Sequence, residues 1–221
     1  MPVQFLQNDV CLGGTKSCTT ARGQGTGTLN AKASIGKRRA TYEDLCKVPD
    51  TMVAEIIDGE LIVTPRPAFP HARATSVLAV DLGGPFDRPP GDPAGAGGWW
   101  LLFEPELHLG PDVIVPDYAG WRRDRLPVLP NVAAFDLAPD WVCEVVSPST
   151  GAVDRARKMR VYARERVAHL WIVDPILRTL EVYRLEDARW VVASTHGGTD
   201  AVRAEPFDAV ELRLARWWLE P

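Results

Sequence analysis

The sequence is poor in the residues that build metal clusters and covalent frameworks: it has four cysteines and four histidines in 221 positions. Cys11, Cys18, Cys46 and Cys143 include no Cys-x-x-Cys pair, and no histidine cluster accompanies them. A zinc site or a disulfide framework is therefore without support, and reduced thiols are expected, with Cys143 buried in a strand. No apolar run approaches the roughly 20 residues that span a bilayer, and the N-terminus lacks the basic, apolar, small-residue order of a secretory signal. The expectation is a cytoplasmic protein with no membrane partner. No internal repeat is visible. What is present is a globular composition, 46% apolar and 24% charged, in a chain long enough for one sizeable core.

Charge is unevenly placed. Residues 1–40 hold six basic side chains, Lys16, Arg22, Lys32, Lys37, Arg38 and Arg39, against the single acid Asp9. Since the whole chain carries −4, residues 41–221 carry −9. A domain this acidic does not hold nucleic acid by bulk counterion release; a local basic face or bound divalent cations would have to bring phosphate close. The first forty residues, rich in Gly, Thr, Ser and Lys without apolar periodicity, read as a disordered leader, and residues 41–221 as the working domain.

Thr41, followed three positions later by Asp44, has the form of a capping box and predicts a short helix ending near Val48-Pro49. Between Val53 and Thr64 two apolar runs flank Asp58-Gly59, a pair suited to the positive φ angles of a tight turn, so a β-hairpin is expected. His71 to Leu82 is helix-compatible and is expected to stop at Gly83-Gly84-Pro85. The Gly- and Pro-rich run to Gly98 reads as surface loop. Trp99 to Leu109, Val113 to Tyr118 and Trp141 to Ser147 are strand candidates. A helix from about Val153 to Arg166, with Ala156, Met159, Ala163 and Val167 on one stripe, should pack on the sheet. His169 to Asp174, Thr179 to Leu185 and Trp190 to Ser194 complete an α/β sheet of mixed direction. Trp217 and Trp218, with Leu212 and Leu214, read as core or dimer contact.

Two acids stand out. Val113-Ile-Val-Pro-Asp117 is an apolar strand ending in Pro-Asp, and Trp141-Val-Cys-Glu-Val-Val-Ser147 carries Glu144 at mid-strand among apolar neighbours. A buried, unpaired carboxylate costs several kcal/mol, so Glu144 requires a cation. Alternation puts Val142, Glu144 and Val146 on one face. Asp117 and Glu144 together suit a divalent cation, because Mg²⁺ takes oxygen ligands and commonly uses one or two carboxylates plus water and substrate phosphate. Such a site serves phosphodiester hydrolysis, with a lysine to orient water or offset developing charge. Lys158, one turn after Asp154, is the candidate. The plainer alternatives are a Pro-Asp turn cap for Asp117 and a solvated i,i+4 pair with Asp154 for Lys158.

Five strings occur here in fixed order: Glu55-Ile-Ile-Asp-Gly-Glu-Leu61 with Pro65 and His71, Val115-Pro-Asp117, Glu144-Val-Val-Ser-Pro-Ser-Thr150, Asp154 with Lys158 and Tyr162, and Trp171-Ile-Val-Asp-Pro175. In that order the chain resembles the Uma2 (DUF820) family over about Thr41 to Leu185. The resemblance implies a restriction-endonuclease-like mixed β-sheet flanked by helices, a phosphodiesterase of the PD-(D/E)xK superfamily, and Asp117, Glu144 and Lys158 as its Asp, second acid and lysine. The usual Glu-x-Lys spacing would place lysine where this chain has Val146; Lys158 on the next helix is the migrated position the family uses.

Glu60 is a further acid expected at the site, with Glu104 and Glu106 as competitors. His71 is a candidate contact to phosphate or water, against an ordinary role as a helix-start residue. Arg155 and Arg157, with Arg160, Arg164 and Arg166, give the Lys158 helix a basic surface for a DNA backbone, unless they pair with acids such as Glu165. The leading expectation is a Mg²⁺-dependent DNA endonuclease, with Mn²⁺ as substitute and a homodimer as the weaker corollary. The competing class is a non-catalytic DNA-binding or assembly module on the same fold. An acyl-transfer enzyme using Cys143 or a serine lacks a plausible histidine partner.

Overall fold

The structure, a computed structural model, describes residues 38–220; the expected leader falls outside them except for its last three residues. Thr41 forms the anticipated capping box: its main-chain N–H donates to an Asp44 carboxylate oxygen at 2.9 Å, its hydroxyl accepts from Asp44 N–H, and α1 (Tyr42–Leu45) follows. The hairpin is β1 (Met52–Ile57) and β2 (Glu60–Pro65), turned by Asp58 and Gly59 at φ of 57° and 79°.

Helix α2 (Phe69–Phe86) is longer at both ends than the apolar spacing implies and runs through Gly83, Gly84 and Pro85. Burial of Leu82 and Phe86 fixes this last turn, and the Phe86 ring packs 4.8 Å from that of Phe207. Tertiary packing here overrides local helix-breaking chemistry.

The expected strand Trp99 to Leu109 is two strands, β3 (Trp99–Phe103) and β4 (Glu106–Leu109), and they belong to different sheets. Glu104 takes a φ of 44° and Pro105 offers no N–H, so pairing ends there and the chain crosses between sheets. The run from Val113 to Tyr118 divides likewise, into β5 (Asp112–Ile114) and β6 (Tyr118–Arg122), with Val115-Pro116-Asp117 as the crossing. The two crossings touch: Glu104 N–H donates to the Asp117 carbonyl at 3.2 Å.

After β7 (Ala134–Phe135) and β8 (Trp141–Val145), the chain enters α3 (Gly151–Val153), a π-helical turn (Asp154–Lys158) and α4 (Met159–Arg164). It returns through β9 (His169–Asp174), β10 (Thr179–Glu186) and β11 (Arg189–Gly197), then a short pair, β12 (Ala201–Val202) with β13 (Leu212–Arg213). The larger sheet has the order β11-β10-β9-β8-β6-β3, and the smaller β2-β1-β5-β4-β7. The larger is mixed, because β8 and β9 run parallel through the intervening helix while the other pairs are antiparallel.

Alternation along β8 divides the core. Trp141, Cys143 and Val145 join α2 and the C-terminal segment, whereas Val142 and Val146 face α4 and the smaller sheet's Ile57, Leu107 and Ile114. Phe207 centres the first cluster, its ring within 4.8–5.6 Å of Phe86, Trp99, Trp141 and Trp171. Trp217, Leu212 and Leu214 are core residues of the same cluster, with Trp218 beside them. Glu144 therefore projects into the layer between the two sheets. Among the described residues no helix is long and apolar enough to cross a membrane.

Candidate active site

The interlayer at the end of β8 opens into a cavity of about 280 Å³, lined by the hairpin, the start of α2, both chain crossings and the Ser147–Lys158 segment. Its floor is charged. Lys158 is 5% exposed, and its Nζ lies 3.0 Å from Glu55 Oε1, 3.3 Å from Glu144 Oε2 and 3.4 Å from Asp154 Oδ1. The other Glu144 oxygen accepts the Tyr162 hydroxyl at 2.5 Å. Both Tyr162 and Glu144 are almost wholly buried. The Asp154–Lys158 pair, the plainer alternative for Lys158 when placed on a solvated helix face, exists but is inside the protein.

The π-helical turn accounts for part of this. Its wider coil carries Asp154 and Lys158 together into the interior, while Arg155 and Arg157 emerge on the outside. Thr150 and Ser147 knit the loop ahead of it: Ser147 N–H donates to Thr150 Oγ1 at 3.1 Å and Thr150 N–H to Ser147 Oγ at 3.2 Å.

Asp117 stands at the crossing from the smaller to the larger sheet. Its Oδ2 accepts the Val145 N–H at 2.7 Å, continuing the β6–β8 ladder by side chain. Its Oδ1 lies 3.0 Å from His71 Nε2, so that nitrogen carries the proton of the contact. His71 sits in the first turn of α2, and the Thr75 hydroxyl donates to its carbonyl at 3.0 Å. Glu55 plays the parallel part across the crossing, its Oε1 accepting the Val115 N–H at 2.8 Å. Both acids thus satisfy main-chain donors freed where the chain leaves one sheet for the other.

The structure brings Asp117, Glu144, Lys158 and His71 to one cavity and leaves Glu60, Arg155 and Arg157 outside it. Glu60 lies at the hairpin turn, where Arg157 reaches it at 3.0 Å and donates to the Ile57 carbonyl at 2.8 Å. Arg157 therefore staples the turn to the Lys158 helix. Arg155 donates to Glu181 at 2.8 Å, Arg160 to Asp58 and Arg164 to Asp112, so the expected basic face is largely engaged with acids. Of the competing acids, Glu104 lines the cavity and holds Arg66 at 3.3 Å, while Glu106 is taken up by Tyr42 and His108 away from it. Cys143 is fully buried and burial pushes its thiol well above the ordinary range, so it offers no nucleophile.

Glu55 is the acid the sequence reading passed over. Its signal is the one that singled out Glu144: an acid inside an apolar strand, here Val53-Ala-Glu-Ile-Ile57. Asp154, considered as the helix partner of Lys158, lines the floor as well, and Tyr162, noted as part of a motif, lies buried behind it and donates to Glu144.

The electrostatics follow from burial. Desolvation pushes Glu144 well above the usual carboxylate range and raises Glu55 and Asp154, with Lys158 acting against the rise in all three. Burial alone would lower Lys158; Glu144, Glu55 and Asp154 outweigh it and keep it charged. Tyr162 is raised well above its ordinary value by burial and by Glu144, so it remains a donor.

Lys158 and Arg66, against Glu55, Glu104, Asp117, Glu144 and Asp154, leave the cavity short of positive charge. That shortage and the all-oxygen donor set fit a hard divalent cation. Among the described residues no three His, Cys, Asp or Glu side chains are arranged to hold a metal ion. Two carboxylates supplemented by water and substrate oxygens are the set that fits.

The model of the Uma2 family, described as "putative restriction endonuclease", matches residues 39–215. Among solved structures, the crystal structure of a "putative nuclease belonging to DUF820" from Anabaena variabilis is similar at 23% identity, with a TM-score of 0.65 over 80% of this chain and 98% of that one. At this identity the likeness is one of fold: α/β, with mixed sheets flanked by helices and an N-terminal hairpin. No curated protein matches. With its family model matched over most of its length, the chain belongs to the Uma2 family.

Proposed function

We propose that this protein is a divalent-metal-dependent endonuclease that hydrolyses phosphodiester bonds in DNA. The observation that carries the reading is the buried Lys158 ammonium, gripped by Glu55, Glu144 and Asp154 on the floor of an open cavity that Asp117 and His71 also line. Family membership supports nuclease chemistry in general. Asp117 and Glu144 are the residues that would hold Mg²⁺, or Mn²⁺ in its place. The bound ion would polarise the phosphate and lower the pKa of a coordinated water.

The chain's own groups divide the remaining work. Tyr162 and Lys158 fix both Glu144 oxygens, and Val145 N–H and His71 fix those of Asp117, so each carboxylate is held before substrate arrives. Lys158 keeps its positive charge at the buried cavity floor, where it would stabilise charge developing on phosphorus oxygens. His71 holds a proton on Nε2 against Asp117 and positions that carboxylate.

A non-catalytic module on the same fold is the second reading. It is favoured by one observation: Lys158 already has three carboxylate partners, an arrangement that also serves as a structural ion cluster.

Calorimetric titration of Mn²⁺ and Mg²⁺ into wild type and Glu144→Ala, with plasmid nicking on the same preparations, separates the two. Metal binding and nicking by wild type, both lost in the variant, support the endonuclease. Absence of metal binding in both proteins hands the chain to the second reading.

A further inference from the structure

Three features of the cavity bear on what form of nucleic acid it accepts. The first is depth. Glu144, Asp154, Lys158 and Glu55 are 1%, 3%, 5% and 5% exposed at the floor of a cavity of about 280 Å³. That is close to the low end, roughly 300 Å³, of sites that enclose a small ligand. Phosphates within a duplex lie along a stiff rod and keep their spacing from their neighbours, whereas an unpaired strand bends and delivers one phosphate inward.

The second is charge. Among the described residues lining the cavity, Arg66, His71 and Lys158 face five acids, and Arg66 is itself held by Glu104. The helix arginines beside it are occupied by Glu181, Glu60, Asp58 and Asp112. Duplex binding draws most of its affinity from cations directed at successive phosphates, and the described residues of the cavity lining offer few of them.

The third is the aromatic rim. Phe69 is 87% exposed in the first turn of α2, next to the cavity-lining Ala68 and two residues before the cavity-lining His71. Phe103 is 57% exposed at the end of β3, next to the cavity-lining Glu104. Solitary exposed rings are common on protein surfaces. Two of them on separate elements, each next in sequence to a residue that lines an acidic, partly apolar cavity, offer the sequence-tolerant stacking surface that single-strand binding uses beside charge.

Resting on the nuclease reading above, we infer that the substrate is single-stranded DNA, or an unpaired end, entering the cavity with its bases stacked on Phe69 and Phe103, and that intact duplex is a poor substrate. The test uses one oligonucleotide, fluorescently labelled, alone and annealed to its complement. Binding is followed by anisotropy in EDTA and cleavage in Mn²⁺, for wild type, Phe69→Ala, Phe103→Ala and Phe69→Trp. The expected result is preferential binding and cleavage of the single strand. Each alanine variant weakens single-strand binding by about 5- to 100-fold, the size of one lost base stack, and Phe69→Trp retains it. Both rings are exposed, so the variants keep the fold. Duplex bound and cleaved as well as the single strand, or alanine variants that bind it like wild type, overturn the inference and leave the nuclease standing. No cleavage of either form in Mn²⁺ overturns the nuclease reading itself.

Discussion

Lys158 Nζ lies nearer to Glu55, at 3.0 Å, than to Asp154, at 3.4 Å, although Asp154 is one helical turn away and Glu55 belongs to the N-terminal hairpin. The hairpin is therefore tied to the rest of the molecule by a buried charge as well as by its single register pair with β5, Ile56 to Val113.

Removing that charge is expected to be costly. Lys158→Met leaves Glu55, Glu144 and Asp154 facing one another without a cation, and breaking a buried ion pair from one side typically costs about 3–5 kcal/mol. Urea unfolding in EDTA at neutral pH measures it. Adding Glu55→Gln to Lys158→Met should recover part of the loss, since one fewer carboxylate then needs neutralising. A Lys158→Met protein as stable as wild type would mean the cluster is solvated in solution.

The pH dependence has a definite sign. Glu55, Glu144 and Asp154 have folded-state pKa values raised above their unfolded ones, chiefly by burial, so the native protein holds more protons than the unfolded chain above the ordinary carboxylate range. Where the native state binds more protons, stability falls as pH rises. Their contribution is fully present below the unfolded value, 4.5 for Glu55 and Glu144, and is lost as pH climbs through the raised values. The raised Lys158 acts in the same direction, but only above 10.5. Metal-free protein should therefore lose stability as pH rises above the ordinary carboxylate range, a trend that Glu144→Gln flattens. Urea midpoints across a pH series in EDTA decide it.

Much of this arrangement is legible in the sequence, and the reason differs residue by residue. Glu144 announces itself because one acid among Trp, Val, Cys and Val has no cheap solvated alternative, and strand alternation then gives its direction. The hairpin is readable because Asp58-Gly59 is a local signal, as is the Thr41 capping box. The breaks at Glu104-Pro105 and Val115-Pro116 are harder: they are changes of sheet, and a strand pattern does not say which sheet it joins. Missing them conceals why Asp117 and Glu55 both cap freed N–H groups. The arginines are misread for a related cause. Their spacing gives a basic helix face, but only the fold shows that Asp58, Glu60 and Asp112 lie opposite it.

Divalent cations should stabilise the protein against unfolding. A cation bound only by the native state adds about 2.7 kcal/mol at a hundredfold excess over its Kd. Thermal melts in EDTA and in saturating Mn²⁺ should therefore differ for wild type and coincide for Glu144→Ala. His71→Ala, which strips a hydrogen-bond partner from Asp117 without removing a proposed ligand, should lower Mn²⁺ affinity about 10- to 100-fold. If His71→Ala binds Mn²⁺ like wild type, the His71–Asp117 contact is a helix anchor only.

The hairpin acids provide the sharpest contrast, because Glu55 and Glu60 are near in sequence yet differ in surroundings. Glu55 is 5% exposed and touches Lys158, whereas Glu60 pairs with Arg157 at the turn, outside the cavity. Glu55→Gln keeps the shape and the acceptor for Val115 N–H but removes one of the charges that hold Lys158. With preorganised active-site electrostatics typically worth about 10²- to 10³-fold per group, nicking should fall to that extent. Glu60→Gln exchanges an exposed ion pair for a hydrogen bond, a change generally worth less than about 1 kcal/mol, so nicking should stay within a few-fold of wild type. Rates for both variants at matched Mn²⁺ concentration, with circular dichroism as the folding control, make the comparison. The reverse order of effects would return the additional acid to Glu60 and require the hairpin turn to swing toward the cavity when substrate binds.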